Sequence, residues 1–368
     1  MSGKLRVGVI FGGRSGEHEV SLMSARSVLA ALDPARYETV SIAITKDGRW
    51  FCGEKALEAL QRGTIEGLVP VALLGEPGRR GLQRLGGASA GAIEPLDVVF
   101  PVLHGTYGED GTLQGLLEMA DIPYVGAGVL ASSVAMDKGL FKQVMRSHGI
   151  PVVDSTVVLA TTILEDPETA LRQAEAVGPY PLFTKPSNLG SSVGVSKCRV
   201  RSDLLEGLIE AARYDRRVVV ELGVEAREIE VSVLGNEKPE ASIAGEIIPS
   251  DEFYTYRAKY IDDASQLLIP APIDEATAAE ARRLAVEAFR AIDGAGMARA
   301  DFLLERSTGK LYVNELNTIP GFTRISMYPK LWDASGISYP ALMDRLIELA
   351  FQRQAQKDRL VRSYGEGS

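Results

Sequence analysis

Asp301, Glu315, Asn317 and Arg299 are the residues whose types and spacing point most directly to chemistry. They belong to the segment Ala298–Asn317, in which two apolar, alternating runs flank Ser307-Thr308-Gly309. A three-residue loop ending in a left-handed glycine is a favoured hairpin connection, and Gly309 occupies that place. Closing the loop with Arg306 and Lys310 sets Asp301 opposite Glu315 and Arg299 opposite Asn317. Side chains alternate faces along a strand, so all four share one face. Directly opposed Cβ atoms lie about 4.5–5.5 Å apart, and two carboxylates that close repel unless a cation separates them. Oxygen ligands from Asp, Glu and Asn suit Mg²⁺, which keeps waters and substrate phosphates as its other ligands. A surface hairpin with scattered charges explains the same residues when the hairpin is considered alone.

Other segments carry polar groups of their own. The stretch Lys185-Pro-Ser-Asn-Leu-Gly-Ser-Ser-Val-Gly194 is small and flexible, so backbone N–H groups can approach a phosphate while Lys185 supplies charge. It lies between two expected strands, and no Walker motif occurs in the chain; an ordinary hairpin loop is the competing reading. The first loop, Gly12-Gly-Arg-Ser-Gly-Glu-His-Glu-Val-Ser21, marks a strand-to-helix junction where helix N–H groups favour anions. Phe11 stands where a dinucleotide fingerprint needs its first glycine. Glu17 either caps the following helix or binds a substrate ammonium, and capping is the simpler reading of this motif. His104 falls at the carboxyl end of the strand Asp97–Leu103, where open α/β sheets place ligands. The aromatic and charged run Pro249–Tyr260 reads as a lid.

These residues need a scaffold of strands alternating with helices. Leu5–Phe11, Tyr37–Ile44 and Asp97–Leu103 read as strands, with helices over Glu19–Leu32 and Thr112–Met119, which implies a parallel, doubly wound sheet. Residues 53–95 are rich in Gly, Ala and Arg and read mostly as a surface insertion. A second unit opens near Gly128, with a helix from Asp137 to His148, paired strands at 181–186 and 193–198, and another strand at Val218–Glu221. Glu228–Leu234 is a further strand, Asp274 caps a helix with helical apolar spacing, and a last helix covers Tyr339–Gln354. At 368 residues the chain accommodates two or three domains. A net charge of −9 argues against general nucleic-acid binding. Two distant cysteines, Cys52 and Cys198, suit a reducing cytoplasm. The N-terminus reads as a buried strand, not a secretory segment, and no run approaches about 20 apolar residues, so no membrane span is expected.

Taken together, the segments resemble the D-alanine–D-alanine ligases of the ATP-grasp superfamily. The resemblance rests on residues 12–21, Leu-His-Gly-Thr-Tyr-Gly-Glu-Asp-Gly-Thr-Leu-Gln-Gly at 103–115 and Met-Asp-Lys at 136–138. It continues with residues 185–194, Tyr-Arg-Ala-Lys-Tyr at 256–260, Ala-Arg-Ala-Asp at 298–301 and Asn-Glu-Leu-Asn-Thr-Ile-Pro-Gly-Phe-Thr at 314–323. These motifs follow the family's order over nearly the whole chain, apart from residues 53–95 and the tail. The resemblance implies an N-terminal substrate domain (1–127, with the insertion at about 53–95) built on a doubly wound parallel sheet. A two-part α+β ATP-grasp fold follows, a central subdomain (128–220) and a C-terminal metal-binding domain (221–355), before a polar tail (356–368).

The same resemblance implies roles. Lys138, Lys185 and Lys259 contact ATP phosphates with Ser192 in the covering loop, Glu221 and Val224 lie on the adenine side, and Glu228 meets the ribose. Asp301, Glu315 and Asn317 hold two Mg²⁺ ions, with Mn²⁺ as a substitute and room for a monovalent cation. Glu17 holds the ammonium of the first D-alanine with His104 nearby, and Ser191 and Tyr260 join Glu17 in closing the lid. Ser326 and Met327 face the second D-alanine, while Arg299 and the Gly321 N–H stabilise the oxyanion. The expected reaction joins two D-alanines through an acyl phosphate for peptidoglycan precursors, in a cytoplasmic homodimer whose partners are D-alanine and ATP, not nucleic acid or membrane. D-lactate or D-serine as second substrate is the alternative, and Tyr260 favours the amino acid over D-lactate. Two departures from the family pattern are Phe-Thr before Lys185 and the adenine segment Glu221-Leu-Gly-Val224.

Overall fold

The computed structural model of the chain describes residues 3–78, 81–85, 91, 95–248 and 266–361. Leu5–Gly12 (β1) is buried along most of its length because helices cover the sheet on both faces. It pairs in parallel with Tyr37–Ile44 (β2) and Val98–Pro101 (β6). Between these in sequence come Trp50–Cys52 (β3), Val69–Leu73 (β4) and Leu82–Arg84 (β5), which extend the sheet antiparallel in the order β5-β4-β3-β2-β1-β6. The doubly wound parallel character is therefore confined to three strands. Residues 53–95 are also more than a surface insertion: Val71, Leu73 and Leu82 enter the core beside Ile42 and Ile44. Short strands in a Gly- and Arg-rich stretch leave too little periodicity to be seen in sequence.

The second sheet is wholly antiparallel. Ser155–Leu159 (β7), Leu182–Pro186 (β8), Ser196–Cys198 (β9) and Arg217–Leu222 (β10) run in the order β7-β10-β8-β9. The third contains Ala226–Gly235 (β11), Glu240–Ile248 (β12), Gln266–Leu268 (β13), Gly296–Glu305 (β14) and Leu311–Asn317 (β15), in the order β13-β12-β11-β14-β15. The helix Glu275–Ala291 starts where Asp274 Oδ1 accepts a hydrogen bond from the Thr277 N–H at 2.9 Å. Its buried Ala281, Leu284, Ala285, Ala288 and Phe289 meet Val231, Val233, Ala300 and Phe302. The last helix, Tyr339–Lys357, buries Leu342, Met343 and Leu346 in the core that holds Val7, Val9 and Phe11 of β1. The chain thus returns from its third sheet to brace its first.

The β14–β15 hairpin pairs Asp301 with Glu315 and Arg299 with Asn317, the pairing expected from sequence. The route differs. Glu305 N–H donates to the Lys310 carbonyl at 2.9 Å, so Arg306 does not close the loop, and Leu304 pairs with Leu311. A bulge then leaves Asn314 as an extra residue and restores the expected register at Asp301. Without the bulge, that one-residue slip would put the acids on opposite faces.

Candidate active site

Three carboxylates form one row across the third sheet, because Glu230 of β11 is opposite Asp301 and Asp301 is opposite Glu315. In the neighbouring row, Ser232, Arg299 and Asn317 follow one another across the same strands. Cations meet this charge from both ends. Arg299 donates Nε and Nη2 to the two oxygens of Asp301 at 2.7 and 2.6 Å, and its Nε is 3.0 Å from Glu230 Oε2. The Lys138 ammonium is 3.8 Å from Glu315 Oε2. Asn317 Nδ2 donates to Asp301 Oδ2 at 2.9 Å.

Lys138 starts the helix Lys138–Ser147, whose cap Asp137 accepts from the Leu140 N–H at 2.9 Å. Asp137 also accepts from Ser187 Oγ at 2.7 Å, from Asn188 Nδ2 at 3.3 Å and from Arg217. Lys138 Nζ in turn donates to the Leu189 carbonyl at 2.7 Å. One helix N-terminus thereby anchors the loop that follows Lys185. Ser191 and Ser192 have φ of 51° and 57°, a left-handed conformation uncommon for consecutive non-glycine residues and concentrated at functional sites.

Lys185 reaches Glu221 at 2.7 Å, and Glu221 takes a second ammonium, that of the fully buried Lys142, at 3.2 Å. Burial opposes the charge on Glu221, but the two lysines outweigh it and hold the carboxyl at about 2. Burial likewise lowers the pKa of Lys142, with Glu221 acting against that. For Lys185 burial is overcome by Glu221, and its pKa is raised.

Glu17 does not cap the helix His18–Ala31 with its side chain, contrary to the simpler reading of its motif. Its carboxylate instead accepts from Ser191 Oγ across the cleft. Gly105 makes room for it, having a φ of 76° and a place where a Cβ would lie 2.6 Å from Glu17 Oε2. His104 is buried, and both ring nitrogens are engaged: Nδ1 with the Ile319 carbonyl at 3.0 Å, Nε2 with Ser24 Oγ at 2.9 Å. Since a carbonyl only accepts, Nδ1 carries the proton and Nε2 accepts from the serine. Burial lowers the pKa of His104 despite nearby Glu17, so the ring is neutral. The Glu109 carboxyl accepts from the Gly105 N–H at 2.6 Å, and burial together with the charge of Glu17 pushes it up to about 8.

A cleft of about 410 Å³ is lined by Glu17, His104, Glu109, Lys138, Ser191, Glu230, Arg299, Glu315, Asn317, Gly321, Ser326 and Met327, among others. Ser326 Oγ accepts from the Thr323 N–H at 3.1 Å, and a Cβ on Gly321 would approach that oxygen to 3.0 Å. Of the sequence-derived candidates, Arg299, Glu315 and Asn317 on the sheet thus meet Glu17, Gly321, Ser326 and Met327 in one space, while Asp301 is reached through its bonds to Arg299 and Asn317. Lys185 and Glu221 pair with each other outside this lining, while half-buried Val224 and Glu228 lie at the β10–β11 connection and on β11. Lys259 and Tyr260 lie outside the described residues. Sequence reasoning missed Glu109, Lys142 and Glu230. Lys142 was signalled by its place four residues after Lys138, on the same helix face, and Glu230 by its alternation with Glu228 on β11.

The donor set fits a hard divalent cation: two carboxylates and a carboxamide on one strand pair. Among the described residues no group of three or more His, Cys, Asp or Glu could hold a metal, so the protein alone does not complete a cage. Phosphate oxygens, opposite Lys138 and the serine loop, would supply the remaining ligands.

Comparison with known proteins places the chain in a family. The family described as D-ala D-ala ligase N-terminus covers residues 6–127, and D-ala D-ala ligase C-terminus covers residues 144–348. The chain is 51% identical over 358 residues to a D-alanine–D-alanine ligase of Thermoanaerobacter sp. strain X514, covering 97% of this chain and 99% of that one. It is 47% identical to one from Natranaerobius thermophilus, with 99% of both chains covered. Among solved structures, the D-alanine–D-alanine ligase from Coxiella burnetii superposes with a TM-score of 0.82 at 36% identity, covering 98% of this chain and 97% of that one. VanG D-Ala:D-Ser ligase from Enterococcus faecalis superposes with a TM-score of 0.84 at 35% identity, covering 95% and 100%.

Proposed function

The chain belongs to the D-alanine–D-alanine ligase family, and from that premise we propose which of its residues carry the ATP-dependent joining of two D-alanines to D-alanyl-D-alanine. The reaction passes through an acyl phosphate and serves peptidoglycan precursor synthesis. ATP supplies the γ-phosphoryl group that activates the first D-alanine's carboxylate, while divalent cations, Mg²⁺ with Mn²⁺ as substitute, offset phosphate charge. The observation that carries the assignment of roles is the convergence of Glu17, Ser191, Arg299, Glu315 and Asn317 on one cleft, with Asp301 bonded to Arg299 and Asn317 at its edge.

Asp301, Glu315 and Asn317 would hold the two cations, and Lys138, Lys185 and Lys259 orient the phosphates of ATP under Ser192. Val224 and Glu221 border the adenine, and Glu228 meets the ribose. Glu17 binds the ammonium of the first D-alanine; His104, with both nitrogens engaged, fixes the loop at Ile319 beside it. Ser326 and Met327 receive the second D-alanine. When its amine attacks the activated carbonyl, Arg299 and the Gly321 N–H take up the oxyanion. Ser191 and Tyr260 close the site with Glu17, and closure keeps water from the acyl phosphate. The domains run 1–127, 128–220 and 221–355, a division supported by the three separate sheets, the second of which ends at Leu222. A cytoplasmic homodimer and a monovalent cation complete the proposal. No helix among the described residues is long and apolar enough to cross a membrane.

D-Alanine labelled with ¹⁸O in its carboxylate tests the pathway. Phosphoryl transfer to that oxygen, then expulsion of phosphate by the amine, places one label in inorganic phosphate. Phosphate without label would refute the acyl-phosphate route.

A further inference from the structure

Arg299 is asked to do two things that conflict. As the oxyanion arginine it must be held at the cleft, yet its bidentate partner Asp301 is also the central residue of the proposed cation set. A carboxylate that gives its oxygens to a cation holds a guanidinium less firmly. A second anchor is therefore needed, and the row of carboxylates supplies it. Glu230 lies directly across from Asp301 on β11, its side chain is 4% exposed, and its Oε2 is 3.0 Å from Arg299 Nε. At the other end of the row, Glu315 faces Lys138, so Glu230 is the acid on Arg299's side of the site.

We infer that Glu230 is a positioning residue that keeps the Arg299 guanidinium aimed at the reacting carbonyl once Asp301 is committed to a cation. Glu230 touches neither nucleotide nor metal in this role; it acts through Arg299. The inference rests on the ligase reading. Wild-type protein that makes no dipeptide from D-alanine would defeat that reading before any variant is compared.

The test is Glu230→Gln, nearly isosteric but uncharged. Its affinity for a D-alanine-derived phosphinate, whose tetrahedral phosphorus mimics the adduct, is compared with its affinity for ATP in Mg²⁺. The expected result is at least roughly tenfold weaker phosphinate binding, a comparable fall in kcat, and ATP affinity within about twofold of wild type. Equal losses for phosphinate and ATP would make Glu230 a cation ligand or a general support and overturn the inference. Unchanged affinity for both would overturn it too. Should the glutamine variant not fold, Glu230→Asp keeps the charge on a shorter arm and is read by the same ratio: phosphinate binding must weaken more than ATP binding.

Discussion

The hairpin β14–β15 and the loop Ser187–Val195 face the same cleft, but they come to it by different physical means. The hairpin carries its charges on a ladder whose register is set by buried Ala300, Phe302, Val313 and Leu316 on the opposite face, and Arg299, Asn317 and Lys138 already balance its acids. The loop is held at its base, through Ser187 and Asn188 on Asp137 and Asn188 on Asp215, and at Leu189 by Lys138, and it reaches Glu17 through left-handed Ser191. One region fixes charge in place before a ligand arrives. The other meets the cleft through side-chain hydrogen bonds along a loop outside any sheet ladder.

Substitutions that separate these two modes sharpen the comparison. Asp301→Asn strikes the rigid side and should lower metal-dependent turnover by about 10²–10³-fold while circular dichroism and melting stay near wild type. A folded variant with full activity would remove the hairpin from the chemistry. Ser191→Ala strikes the adjustable side; kcat/KM for D-alanine should fall roughly tenfold with little change in Tm, because the lost bond closes the site and supports no core. A large loss of Tm would mean the loop is as structural as the hairpin.

Lys142→Met probes what lies behind the loop. It removes one of two ammonium partners from a buried carboxylate and should destabilise by about 2 kcal/mol in urea denaturation, Lys185 remaining to pair with Glu221. An unchanged midpoint would show that Lys142 contributes nothing there. The last effect is one of pH, read as a slope and not as a single loss. Unfolded Glu109 loses its proton near the ordinary 4.5, whereas burial and the charge of Glu17 hold it until about 8 in the folded chain. Wild type therefore loses stability as pH rises through that window. Glu109→Gln lacks the loss, so its Tm advantage should grow between those values and then level off; parallel curves would contradict the assignment.

Much of this was legible in sequence where periodicity and opposed charge act together. The face shared by Arg299, Asp301, Glu315 and Asn317 followed from alternation, although the loop closes one residue earlier and Asn314 makes up the difference as a bulge. Bulges leave no periodic trace, so two departures cancelled. Glu17 illustrates the opposite case: its local motif favoured a cap, and its pairing with Ser191, 174 residues away, was expected from the family resemblance alone. Lys142 and Glu230 were passed over because a single chain position does not reveal a partner on another strand. Residues 53–95 hid three short elements (the helix Ala56–Gln61, β4 and β5) whose burial comes from sheet neighbours more than from their own pattern.

Whether the chain joins two D-alanines is decided by incubating the purified protein with ATP, Mg²⁺ and D-alanine alone, and following ADP release with identification of the product. Parallel reactions hold L-alanine, or D-alanine with D-lactate or D-serine. D-Alanyl-D-alanine formed from D-alanine alone, with L-alanine inert, is the predicted result. No turnover with D-alanine, or turnover only once D-lactate or D-serine is added, would contradict it.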